Sequence, residues 1–158
     1  MSALKKNVEA EEEDEELKIF HKYLLSDEDM EIVKNLPNAQ EKFDICISFY
    51  EQLWRERNFE KAEYYNELSY SIKKEMMFPS TEEKETSFYF FNKANIYSAQ
   101  NMFEKSIPMY EKTLNLMLNC LGSIGKTEFI INIYKNLAFC YNAIGNKEQA
   151  IANLQSAY

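Results

Sequence analysis

Three short stretches recur at one fixed spacing, and that spacing leaves few folds open to this chain. Phe59-Glu60-Lys61-Ala62, Phe103-Glu104-Lys105-Ser106 and Lys147-Glu148-Gln149-Ala150 lie 44 residues apart, each opening a stretch of helical periodicity. A unit repeated at such a period buries its apolar face by stacking on copies of itself. The last copy shows the unit most clearly. Tyr134, Leu137, Ala138 and Tyr141 fall at i, i+3, i+4 and i+7, the stripe of an amphipathic helix. Gly145-Asn146 breaks the pattern, because glycine and asparagine accept the left-handed backbone that ends helices. A second stripe follows in Ala150, Leu154 and Ala157. The pattern predicts a helical hairpin whose axes come closest at the small residues Ala138 and Ala150.

Tyr134, Leu137-Ala138, Tyr141, Gly145, Ala150, Leu154 and Ala157 together resemble the tetratricopeptide repeat. The middle copy places Phe90, Ala94, Tyr97, Asn101, Ser106, Tyr110 and Thr113 at the same stations, with Lys93 where the repeat has leucine. The first copy keeps Cys46, Phe49, Leu53 and Ala62 but puts Tyr50 at a position for a small residue. A 44-residue period exceeds the usual length of about 34. Longer repeats of this kind are similar to those of kinesin light chains and bacterial peptide-sensing regulators. The resemblance implies an all-α fold, a right-handed superhelical array of about three helical hairpins.

Composition agrees with helices and removes other classes. Only three Gly and three Pro argue against an all-β chain rich in tight turns and against a glycine-dependent nucleotide fold. No apolar run nears the roughly 20 residues that span a bilayer, and the N-terminus lacks a signal-peptide core. Cys46, Cys120 and Cys140 are odd in number and lack metal-like spacing, so free thiols in a reducing, cytoplasmic compartment are expected. The net charge is −8, but residues 9–16 carry seven carboxylates, so the rest of the chain is near neutral. With no basic stripe, a nucleic-acid surface is not expected.

Residues 1–15 read as an acidic, flexible tail, with a contact for a basic partner as the other reading, and residues 16–38 as an N-terminal helical cap. Residues 39–158 hold the repeats, at 39–80, 81–122 and 126–158, with Pro79 and the Gly122–Gly125 stretch as breaks. No capping helix follows the third copy, so its end is expected to pack on another chain or on further residues of a longer parent.

Catalytic chemistry finds no support. Gly122-Ser123-Ile124-Gly125-Lys126-Thr127 resembles half of a phosphate-binding loop, but Cys120 stands where the first glycine belongs and no strand precedes it. His21 is the only histidine, and no nucleophile, base and orienting group can be assembled around it. No enzyme activity, metal or cofactor is expected.

The resemblance places ligand contacts on the concave face of the first helices. Those positions hold Trp54 in the first copy, Phe88, Phe91, Asn95 and Ser98 in the second, and Asn132, Lys135, Phe139 and Asn142 in the third. The asparagine amides could pair with a peptide backbone while the aromatics hold a helix or extended segment. Clamping of a chaperone's terminal carboxylate is excluded, because Ile47 and Glu51 occupy the clamp positions and Glu51 would repel it. The expected function is a protein-interaction scaffold or adaptor binding a partner's peptide or helix. The alternative is a bacterial peptide-sensing regulator, although residues 1–38 are too short and acidic for its usual upstream domain.

Overall fold

The computed structural model describes residue 36 and residues 38–76, 82–121 and 127–158. The acidic tail, most of the expected cap, His21, Pro79 and the Gly122–Lys126 stretch lie outside the described residues. Within them the fold is all-helical: α1 (Ala39–Arg55), α2 (Phe59–Met76), α3 (Glu82–Ala99), α4 (Phe103–Leu121), α5 (Glu128–Ala143) and α6 (Lys147–Ala157). Packing is densest within the pairs α1/α2, α3/α4 and α5/α6, and next densest between α4 and α5 and between α2 and α3. The chain is thus three hairpins in series.

Local chemistry sets several helix ends. Asn38 caps α1 by accepting from the Glu41 N–H at 2.9 Å, and Thr127 caps α5 by accepting from Ile130 N–H. Each satisfies a backbone donor that the first helical turn leaves orphaned. Pro108 lies within α4 without ending it, although about one turn in it removes one bond of the i→i−4 ladder.

The 44-residue period governs the backbone as well as the sequence. Arg57, Asn101 and Gly145 all have left-handed backbone, at φ 61°, 60° and 83°. Around each, the same two bonds close the helix end. The following N–H bonds to Leu53, Tyr97 or Tyr141 C=O, and the residue's own N–H to Trp54, Ser98 or Asn142 C=O. This is the Schellman arrangement, which satisfies two carbonyls that the helix end leaves open. Gly145 adopts it at no steric cost. A Cβ there would meet nothing within 4 Å, so Gly145→Ala is expected to cost only the left-handed penalty, about 1–2 kcal/mol. Urea unfolding of that variant measures it; no loss would mean that the turn does not persist in solution.

Hairpin crossings fall at the small residues. Ala62, Ala94, Ser106, Ala138 and Ala150 are all buried, and Ser106 Oγ donates to Ala94 C=O across the crossing at 2.8 Å. A hydroxyl can span from one helix to the other helix's backbone only where the axes are close. Tyr50, the exception at this station, is also buried. Its ring extends to the next hairpin, where its hydroxyl donates to Asn92 C=O at 3.3 Å.

Candidate functional site

The two seams between hairpins differ in chemistry. Between α2 and α3, Tyr70 and Tyr89 stack with ring centroids 4.1 Å apart. Tyr89 donates to Glu67 at 2.6 Å, and Lys93 Nζ reaches the same carboxylate at 3.1 Å. Lys93, an oddity where a leucine was expected, belongs to this network. Partial burial opposes its charge, but Glu67 and Tyr89 outweigh that and hold the ammonium above its ordinary range. Buried Asn66 donates to Tyr89 C=O and accepts from Asn92. The seam between α4 and α5 is mostly apolar: Ile107, Tyr110 and Met117 share one core with Ile130, Ile133, Leu137 and Cys140. At its edge Tyr141 donates to Glu111, and this bond, with a smaller effect of burial, pushes the phenol up to about 12.

Beyond the third hairpin, the corresponding surface is open. A groove of about 440 Å³ runs between α5 and α6. Ala138 and Ala150 form its floor, and Phe139, Ile151 and Leu154 form its walls. Lys135, Asn142 and Lys147 stand along its rim. The wall side chains are 61%, 56% and 43% exposed, values unlike those of the apolar residues within the seams. Tyr158, 85% exposed, lies with its ring centroid 5.6 Å from Lys135 Nζ at the same end.

No family model, curated protein or solved structure matches this chain. Its function has to be read from the surface itself.

The residues expected on the concave face divide into two groups. Phe91 packs edge-on against Phe129 and Tyr110, at centroid distances of 4.8 and 6.0 Å. Asn95 accepts from the Tyr110 hydroxyl, and Ser98 lies 3.8 Å from Cys140 Sγ. These three take part in the packing of α3, α4 and α5 and are only partly exposed. α5 lies against Phe91 and Ser98, and Tyr110 of α4 against Asn95. Phe88 stays 39% exposed while touching Phe129 at 5.3 Å, and Trp54 is 38% exposed. Asn132 is exposed on α5. Lys135, Phe139 and Asn142 come together on the groove. Ile151, Leu154 and Lys147 were not among the contact residues expected from sequence. Their signal was present, since they stand 44 residues after Ile107, Tyr110 and Phe103.

Nucleophilic chemistry is not favoured by the cysteines. All three are free. Burial pushes Cys46 up to about 12 and also raises Cys140, while slight burial and the Glu83 carboxylate raise Cys120. Each therefore remains a thiol at neutral pH, the less reactive form. Among the described residues, no group of three or more His, Cys, Asp or Glu is placed to hold a metal ion, and no helix is long and apolar enough to cross a membrane.

Proposed function

We propose that this chain is a non-enzymatic protein-interaction scaffold, built as a right-handed superhelical array of long tetratricopeptide-type hairpins. The reading is supported by one observation above the others: a large aromatic, Phe139, stands 61% exposed beside Lys135 and Asn142 on a rigid helix. An aromatic held this way, in an apolar depression with a polar rim, has the composition of an interaction hot spot. The 44-residue recurrence of turns and crossings supports the repeat assignment, because a stacked array leaves its terminal faces and curved flanks free for partners.

Site-specific photocrosslinking in the source cells tests this. Benzoylphenylalanine would replace Trp54, Phe88 or Phe139 in turn, with exposed Glu75 on α2 as the control position. A discrete protein adduct at one or more of the aromatic positions, absent at the control, is the expected result. Adducts nowhere, or equally at Glu75, would overturn the scaffold reading.

A further inference from the structure

The groove between α5 and α6 repeats a surface that is already occupied elsewhere in the chain. Shifting its residues back by 44 positions gives the surface on α3 and α4 that receives α5. Ala138, Ile151 and Leu154 correspond to Ala94, Ile107 and Tyr110, which share a core with Ile130, Ile133, Leu137 and Cys140 of α5. Lys135, Asn142 and Ala150 correspond to Phe91, Ser98 and Ser106. Each of those touches α5 directly, Phe91 at Phe129 and the two serines at Cys140. The first hairpin uses the same stations once more. Tyr50 and Asn66, equivalent to Ala138 and Leu154, bond to Asn92, Tyr89 and Asn92 of α3. Twice in this molecule, this surface holds a helix.

We propose that the groove is a docking site for one amphipathic helix of a partner protein, seated as α5 is seated on α3 and α4. The proposal rests on the scaffold reading and names the kind of partner. The partner helix would present bulky apolar residues at the spacing of Ile130, Ile133, Leu137 and Cys140, namely i, i+3, i+7 and i+10. Its flanks would be acidic. Where the α5 seat has the aromatic rim residues Phe91 and Phe103, the groove has Lys135 and Lys147, and none of its lining residues is acidic. Two rim ammonium groups favour carboxylates on the incoming helix and speed its encounter. A second copy seated head-to-tail fits poorly. The α1 positions equivalent to Ile130, Ile133, Leu137 and Cys140 are Lys42, Ile45, Phe49 and Gln52. They would bring an ammonium group to a groove already bordered by two lysines, and an amide onto its apolar floor.

The test uses the full chain and a fluorescein-labelled stapled helix that carries the α5 stripe with glutamates on both flanks. A peptide of the same composition with the stripe scrambled serves as control. Fluorescence anisotropy should show saturable binding of the striped peptide only. Leu154→Asp should weaken it by about tenfold or more, because an aspartate at the wall would be buried without a partner on docking. The double variant Lys135→Glu, Lys147→Glu, at two exposed positions, should weaken it too and reverse its salt dependence, because added salt would screen the new repulsion between carboxylates. That variant keeps the proposal testable should Leu154→Asp fold poorly. Equal binding of both peptides, or indifference to the groove variants, would overturn the proposal. So would a concentration-dependent dimer that Leu154→Asp dissolves, since a second copy would then hold the groove. Crosslinking at position 88 but not at 139, with no peptide binding, would defeat the groove while leaving the scaffold reading intact.

Discussion

Leu137→Ala is expected to lower the stability of the chain by about 2–5 kcal/mol. Leu137 is 1% exposed and belongs to the core where α5 meets α4. Its truncation removes apolar contacts and leaves a void that the surrounding Ile130, Ile133 and Tyr110 can close only in part. The effect should be local as well as global. In an array, each hairpin is held chiefly by its neighbours, and the third hairpin is joined to the second through this seam. Amide exchange in α5 and α6 should therefore accelerate more than in α1 and α2. Urea unfolding and hydrogen exchange measure both. A loss well under 1 kcal/mol, or uniform acceleration across all six helices, would mean that the seam does not hold the third hairpin as described.

Ala94→Trp is the second large effect. Ala94 is fully buried where α3 crosses α4, and its carbonyl accepts from Ser106 Oγ at 2.8 Å. An indole in that space must push the axes apart, at a cost of about 1–3 kcal/mol and more where the backbone cannot shift. Ala150→Trp provides the comparison. The equivalent crossing in the third hairpin floors the open groove, so an indole at Ala150 can turn outward into it. Its cost should be clearly smaller. At roughly 2–4 °C per kcal/mol for a chain of this size, thermal melts separate the two. Equal melting points would show that the groove is already filled in solution.

The two substitutions sit at the crossings of two equivalent hairpins, yet they differ in consequence. That difference shows how far the sequence could be read. Periodicity at i, i+3, i+4 and i+7 is a property of neighbouring residues, so the helices of the third copy were legible from Tyr134 to Ala157. The small residues at the crossings were legible too, because close helix axes admit little else. Gly145 marked its turn openly. Arg57 marked the same turn in the first copy not at all. Its left-handed backbone is accompanied by contacts outside its own segment, a bond to Ala99 C=O at 3.3 Å and a place over the Phe59 ring. Lys93 looked like a fault in the pattern until Glu67 and Tyr89 came to lie beside it.

The candidate site shows the same limit. Phe91 and Phe139 were named together as exposed contacts, and by repeat position nothing separates Phe91 from Lys135 or Asn95 from Phe139. The sequence by itself determined the helices, the 44-residue period and the stations at which hairpins cross, because these follow from short-range spacing and side-chain size. Only the tertiary structure decided which equivalent surfaces are used up. Phe91 and Ser98 are engaged because α5 lies on them, and Asn95 because Tyr110 of α4 donates to it, whereas Lys135, Phe139 and Asn142 border an open groove. Burial depends on what stands opposite a side chain in space, and no spacing along the chain encodes that.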